Sequence, residues 1–379
     1  MSVSAGINVL LDQHLASIAG RRLGLISNAS AVTRDLTSTL DALRRAPNVQ
    51  LAALFGPEHG FHTAAPDAIP VDSTVDTRTG LPIYSLYGEV TQPTAEMLAG
   101  LDLLIFDIQS VGVRFYTYTT TLLYAMRTAA EVGIPVIVCD RPNPITGQIV
   151  EGPLLEPGYE SFVGSGPLPV RHGLTVGELA QLYNTAWSVG SSLTVVPCAN
   201  WQRTMWFDET GLPWVSPSPG MPTLATATVY PGTCLIEGTN LSEGRGTTLP
   251  FEVVGAPWLD GWALADVLNE LRLPGVKFRP VQFEPTDSKW VGQTCGGVQL
   301  HVLDRTVFRP LTAGLWLIST VKSLNADDFA WQLPHFDRLM GTDLVRKQLD
   351  AGLPVSEIEA GWAPNRANFE AQRHQVLLY

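Results

Sequence analysis

Short apolar runs recur through the first 150 positions and alternate with stretches of helical spacing. Residues 22–28 (RLGLISN), 49–55 (VQLAALF), 101–108 (LDLLIFDI) and 134–139 (IPVIVC) read as strands. Between them, Leu36, Leu40 and Leu43 repeat at helical intervals, residues 93–99 open a short helix, and residues 121–132 place Leu122, Met126 and Ala129 on one face. Strands that are apolar throughout are buried on both faces, and strands separated by helices pair in parallel. The pattern predicts an α/β fold whose first domain is a doubly wound, mostly parallel sheet.

Beyond residue 150 the pattern is less regular. Thr175 and Glu178 have the spacing of a capping box that opens a helix over 176–187. Residues 193–197 and 298–302 read as strands, and residues 311–324 and 335–351 as helices. Residues 206–250 are rich in Gly, Pro and Thr, and a loop region of that length inside a compact chain is more often functional than idle. We expect two domains, 1–150 and 151–379, the second a smaller α/β or α+β unit closing a cleft. The length of 379 residues fits that division at roughly 100–200 residues per domain.

Composition narrows the partners. The net charge of −12 argues against nucleic acid, which needs a basic face. No apolar run approaches the ~20 residues of a membrane span. The first twenty residues lack the basic start of a secretory signal, so the expected location is cytoplasmic, or secreted or periplasmic if a signal was removed. Cys139, Cys198, Cys234 and Cys295 show neither zinc-site nor disulfide-framework spacing and read as reduced, partly buried thiols.

Polar residues cluster just after the strands. The first strand runs into Asn28, and the second into Gly-Pro-Glu58-His59-Gly. The third ends in Asp107 and Gln109, followed by Arg114, and the fourth in Asp140, Arg141 and Asn143. In open parallel sheets the carboxyl ends of the strands form the ligand crevice, so four strands deliver polar groups to one rim. Glu58 stands out. A carboxyl group on a tight turn after a buried strand is partly desolvated and suited to acid work near neutral pH. Capping of a following helix is the alternative. Glu243 lies in a glycine-rich stretch, residues 237–247, with Glu237, Asn240, Ser242 and Arg245, where glycine lets backbone approach a ligand closely. A solvated surface loop is the alternative there.

The stretch has no Gly-Lys-Ser/Thr ending, and no GxGxxG follows the first strand, so neither a phosphate loop nor a dinucleotide cofactor is expected. Phe115, Tyr116, Tyr118, Trp201, Trp206, Trp214 and Trp258 offer ring faces for sugars, with core packing as the alternative. Arg114, Arg171 and Arg245 could hold a carboxylate in a bidentate way. His59, His62 and His172 with Asp107 and Asp140 lack clear metal-site spacing, and no metal is expected.

Nine segments, among them FGPEHG (55–60), FDIQSVGVRFYTY (106–118), DRPNP (140–144), PVRHGLTVGELA (169–180) and YPGTCLIEGTNLSEGRGTT (230–248), resemble the bacterial exo-β-N-acetylmuramidase family, in order from about residue 6 to the C-terminus. The resemblance implies a larger Rossmann-like subdomain, a smaller second one, and a site in the cleft between them. It implies a glycoside hydrolase that removes N-acetylmuramic acid from the non-reducing ends of peptidoglycan fragments, without a cofactor, on a small carbohydrate substrate. Glu58 is then the leading catalytic carboxylate. Glu243, as our own assignment, is the second carboxylate or a substrate contact, and His59 or Tyr116 fills the second role if Glu58 acts alone. Asn28, Asp107, Gln109, Arg114, Tyr118, Asp140, Arg141, Asn143, His172, Asn240 and Arg245 are expected to contact substrate. The chain departs from the family pattern at His62, where an arginine is usual, at Ser110 in place of Asp, and at Gly220 in place of Asn. Loss of the arginine is expected to weaken recognition of the lactyl group. A metal-dependent hydrolase and a non-catalytic muropeptide- or sugar-binding protein are the competing classes.

Overall fold

The computed structural model describes residues 2–379. Among the described residues, twelve strands form three sheets: β1 (Arg22–Ser27), β2 (Gln50–Gly56), β3 (Thr74–Val75), β4 (Pro82–Ser85), β5 (Leu103–Asp107), β6 (Val136–Cys139), β7 (Glu151–Leu154), β8 (Pro169–Arg171), β9 (Leu193–Val196), β10 (Val253–Ala256), β11 (Val276–Phe283) and β12 (Cys295–Val302). The large sheet has the order β3-β4-β2-β1-β5-β6-β9 and is parallel except for the β3–β4 edge. Strands progress outward in both directions from the β1–β5 pair, which makes that pair the topological switch point of a doubly wound sheet.

Period-two alternation explains why both faces are covered. Leu104, Phe106, Phe55 and Val138 point into one core, while Leu103, Ile105, Leu54 and Ile137 point into the other. The second core is closed by the helix Gly6–Gln13, which contributes Ile7, Val9 and Leu10. The first core is larger and runs without a break from the sheet into the second half, where it takes in Leu235, Val254, Leu315 and Phe369.

The second half is built on the antiparallel sheet β10-β12-β11, with helices Gly261–Glu270 and Pro310–Leu324 packed nearby. A division at residue 150 would separate β6 from β9, its parallel partner across Val136–Cys139. The large sheet therefore continues to residue 196, because β9 supplies hydrogen bonds to an edge that β6 would otherwise leave open.

Several local expectations differ in detail. The helix expected over 335–351 is two helices, His335–Met340 and Leu344–Asp350, separated at Gly341, whose φ of 72° ends the first in a left-handed cap. Within the Gly/Pro/Thr-rich region lies a helix, Leu224–Thr233, with Pro231 inside it. It crosses the helix Pro310–Leu324 at two glycines: a methyl on Gly232 would run into the Pro310 carbonyl, and one on Gly314 into the Gly232 backbone. That close crossing fixes Tyr230 and the turn to Glu237. The capping box forms as expected, with Thr175 accepting from Glu178 N–H and Glu178 accepting from Thr175 N–H, over the helix Val176–Thr185. No helix among the described residues is long and apolar enough to cross a membrane.

Candidate active site

β2 ends at Gly56, and the chain turns at once. Only a glycine fits there, since a Cβ would lie 2.5 Å from the Phe61 nitrogen. His59 and Gly60 both take positive φ, 68° and 78°, and Gly60 N–H donates to the Pro57 carbonyl at 2.9 Å. A histidine in that region is strained. Its Nδ1 is held 3.0 Å from the Ala65 carbonyl. A carbonyl only accepts, so Nδ1 carries the proton and Nε2 is bare in the neutral ring. The turn sets Glu58 and His59 on the wall of a cavity of about 400 Å³.

Two further walls complete it. The segment between β5 and the helix Tyr118–Val132 brings Phe115, Tyr116, Thr117 and Tyr118. Thr117 Oγ1 donates to Glu58 Oε2 at 2.6 Å, and the Tyr87 hydroxyl faces the same carboxyl group. The second half brings Ser218, Gly220, Tyr230, Glu237, Arg245 and His335. The cavity thus sits where the two halves meet, on a shared core.

Charge in the cavity is mostly negative. Glu58, His59 and Asp67 bring donor atoms within 4.8 Å of one another. Arg245, the only arginine or lysine on the cavity wall, pairs with Glu237 at 2.7 Å and with Asp67 at 3.1 Å. The guanidinium also stands 4.9 Å over the Phe251 ring. Burial would raise the Glu237 carboxyl, but Arg245 and His335 overcome it and hold Glu237 down at about 2. Asp67 goes the other way. Desolvation in the cleft, with Glu237, Glu58 and Glu243 nearby, pushes it up to about 7 against the pull of Arg245. Its side chain is 40% exposed at the mouth of the cavity, where solvent screens its charge. His59 is pushed down by burial, against Glu58, and stays neutral. The Glu58–His59–Asp67 group is the one place among the described residues where three such ligands converge. Arg245, 3.1 Å from Asp67, supplies one positive charge beside that group.

Aromatic edges line the rest. Tyr116 packs edge-on against Tyr118 and Tyr230, with centroids 4.8 and 6.0 Å apart, and Tyr230 against Phe251 at 4.7 Å. The Tyr116 hydroxyl is buried beside Ser218 and Tyr118 without a firm hydrogen-bond partner. The Tyr118 hydroxyl is already committed, donating to Pro217 O at 2.6 Å.

Five of the residues expected to act in catalysis or contact substrate line the cavity, Glu58, His59, Tyr116, Tyr118 and Arg245, and so does Phe115 of the aromatic candidates. The others lie outside it. Glu243 is buried behind Arg245, 3.0 Å from Lys289 Nζ and 3.6 Å from Arg245 Nε. Asp107 takes both Nε (2.5 Å) and Nη2 (2.8 Å) of Arg141, and a hydroxyl from Thr39. Asn28 donates to Pro217 O, Gln109 to the Ser110 and Pro142 carbonyls, and Asn143 to Leu174 O. Asp140 accepts from Thr175, Gly177 N–H and Tyr379. Arg114 is wholly buried and donates to the carbonyls of Pro153, Leu168 and Leu339. His172, held near 3 by burial and three neighbouring arginines, accepts from Leu174 N–H. Asn240 donates to Asp328 O and accepts from Ala330 N–H. His62, His172, Asp107 and Asp140 do not converge on any ion site.

The sequence reading passed over Asp67, Tyr87, Glu237 and His335 as site residues. Glu237 was visible as the first carboxylate of the glycine-rich stretch. Asp67 follows Ala-Ala-Pro with no regular spacing, and His335 comes from a helix far along the chain, so only the fold brings them in. Of the three departures from the family pattern, Gly220 lines the cavity, and a Cβ there would lie 2.8 Å from Arg245 Nη1. His62 points instead to Asp76 at 3.4 Å with its side chain 63% exposed. Ser110 is buried away from the cavity.

Comparison with known proteins gives one answer. The chain is 48% identical over 378 residues to the peptidoglycan β-N-acetylmuramidase NamZ of Bacillus subtilis (strain 168), covering all of this chain and 91% of the relative. Two solved structures of DUF1343 family proteins from Bacteroides fragilis NCTC 9343 superpose with TM-scores of 0.93 and 0.82, at 36% and 32% identity. Each comparison covers 100% of this chain and 99% of the other. Models of the N-terminal and C-terminal parts of exo-β-N-acetylmuramidase NamZ match residues 23–225 and 228–379. The chain belongs to the exo-β-N-acetylmuramidase NamZ family.

Proposed function

We propose that the protein is a glycosidase that removes N-acetylmuramic acid from the non-reducing ends of peptidoglycan fragments, with Glu58 as a catalytic carboxylate. The observation that carries this reading is the pairing of Glu58 with a second carboxyl group inside an aromatic-walled cavity of about 400 Å³. Glycoside hydrolysis passes through an oxocarbenium-like transition state, and a cavity with more carboxylates than cations stabilises that positive charge. The volume is at the low end for small-ligand sites, which suits a chain end better than a continuous polymer. Arg245 is the group with the charge and fork geometry to meet the lactyl carboxylate of a muramic acid, and it lines the cavity beside Gly220. The Tyr116 hydroxyl supplies a further polar contact. The four cysteines are free and buried, which favours action in a reducing compartment such as the cytoplasm.

The test is chromophore release from an aryl β-N-acetylmuramide, with the matching β-N-acetylglucosaminide as control. Selective release from the muramide, abolished in Glu58→Gln, is the expected result. Equal release from both would remove the lactyl-directed part of the reading, and no release from folded wild-type protein would remove the activity.

A further inference from the structure

Resting on that reading, we propose that Asp67 is the acid/base partner of Glu58. Asp67 and Glu58 bring carboxyl oxygens within 4.8 Å of each other on the same cavity wall. Inverting glycosidases separate their carboxyl groups by about 6.5–9.5 Å to admit a water, and retaining ones by about 5–5.5 Å. With their nearest oxygens no more than 4.8 Å apart, the two groups stand closer than the inverting separation and on the retaining side of it. Glu243, the other candidate, does not line the cavity and is paired with Lys289 at 3.0 Å. Glu237 is pinned by Arg245 at 2.7 Å and faces His335. Its proton is lost far below neutrality.

The two partners differ in the way an acid and a nucleophile must. Glu58 accepts a hydroxyl hydrogen bond from Thr117, which orients a carboxylate for attack. Asp67 stands at the mouth, where a leaving sugar departs, and carries a proton more readily than an ordinary aspartate. The groups facing it are Arg245, His59, Glu58, Glu237 and Glu243. Arg245 alone among them opposes protonation, and it is also the group an anionic substrate would engage. A substrate carboxylate on Arg245 weakens its hold on Asp67 and favours the protonated acid.

The Asp67 carboxylic acid gives its proton to the glycosidic oxygen as the bond from the anomeric carbon to that oxygen breaks, and the leaving sugar departs as an alcohol. The Glu58 carboxylate bonds to the anomeric carbon. Asp67, now a carboxylate, takes a proton from water as the water oxygen attacks that carbon and Glu58 leaves. The configuration at the anomeric carbon is retained.

The experiment compares wild type, Asp67→Asn and Asp67→Glu on two substrates: an N-acetylmuramyl disaccharide, whose leaving group needs a proton, and 4-nitrophenyl β-N-acetylmuramide, whose leaving group does not. Circular dichroism checks folding. For Asp67→Asn, kcat/KM is expected to fall roughly 10³-fold on the disaccharide and less than about tenfold on the nitrophenyl substrate, within the range for general acid catalysis. The basic limb of the pH profile is expected to disappear, azide to restore turnover with formation of the β-glycosyl azide, and Asp67→Glu to recover part of the disaccharide activity. Equal losses on both substrates, an unchanged basic limb, or a change in KM alone would overturn the assignment while leaving the glycosidase reading intact. Wild-type protein inactive on both substrates would overturn the two together.

Discussion

Two clusters of charged side chains lie near the carboxyl end of the large sheet, and they are built differently. At the ends of β5 and β6, Asp107, Arg141, Asp140 and Asn143 satisfy one another and the neighbouring backbone. The Asp107–Arg141 pair is bidentate and buried, and Thr39, Thr175 and Tyr379 take up the remaining lone pairs. Past the end of β2, Glu58, Asp67, Glu237 and Arg245 surround open space, with too few cations for their carboxylates and an unpartnered Tyr116 hydroxyl nearby. The first cluster occupies the switch point, where ligands of open α/β sheets usually bind, and fills it with protein. The second is where unpaired charge is kept for a substrate.

The sharpest way to break that comparison is to remove one carboxyl group from each cluster. Glu58→Gln keeps shape and the Thr117 contact, so we expect a loss of roughly 10³-fold or more in kcat on the muramide, a magnitude typical of a lost acid–base or nucleophilic group, with an unchanged urea midpoint. Steady-state kinetics and urea denaturation of the same sample check both halves.

Asp107→Asn should do the reverse. It strands the buried Arg141 guanidinium, which costs about 3–5 kcal/mol, while KM and kcat per folded molecule stay at wild-type values. A large kinetic defect with little loss of stability would mean that the switch point is functional after all.

This contrast also explains how far the sequence could be read. The strand-and-helix alternation gave β1, β2, β5 and β6 within a residue or two, because strands buried on both faces have an unmistakable apolar signature. The same rule pointed to every strand end as a site, and it cannot tell a carboxylate that has found an arginine from one that has not. Asp107 and Glu58 look alike in sequence; only the arrival of Arg141 distinguishes them. Glu58 and His59 stood out through the turn chemistry of Pro57 and Gly60. Asp67, Tyr87 and His335 were missed because the loop after residue 60 and the helix His335–Met340 reach the cavity through tertiary packing, which leaves no periodic trace. The shared core is a related case: periodicity reports each half, and not that Phe106 and Leu315 belong to one cluster.

The walls from the second half depend on the crossing of the helices Leu224–Thr233 and Pro310–Leu324. Gly232→Ala places a methyl against the Pro310 carbonyl, and overpacking of this kind costs about 1–3 kcal/mol. Because Tyr230 and Glu237 follow from that helix, we expect KM for the muramide to rise along with the stability loss. A stability loss with KM unchanged would show that the cavity wall is set elsewhere, by the contact of Glu237 with Arg245.

The smallest effect is in the pH dependence of stability, and its sign separates Asp67 from Glu237. Asp67 has its folded pKa raised from 3.8 to about 7. It therefore adds stability below about pH 4 and loses that contribution as pH rises through about 7. Glu237 is lowered from 4.5 to about 2, so its contribution is present above about pH 4.5 and is lost as pH falls toward 2. Between pH 4.5 and 7 the Glu237 contribution is constant. Asp67 makes stability fall with pH there, while His172, held near 3 instead of its ordinary 6.5, makes it rise up to about pH 6.5. Asp67→Asn should remove the falling contribution and leave stability rising more steeply with pH across that window, whereas Glu237→Gln should leave the window's slope and weaken the fall on the acid side. The Asp67 slope is shallow because its side chain is 40% exposed and solvent screens it. Urea midpoints at half-unit pH intervals resolve the two. A slope in Asp67→Asn identical to that of wild type would place the falling contribution on another carboxyl group raised by burial, Asp140 or Glu178.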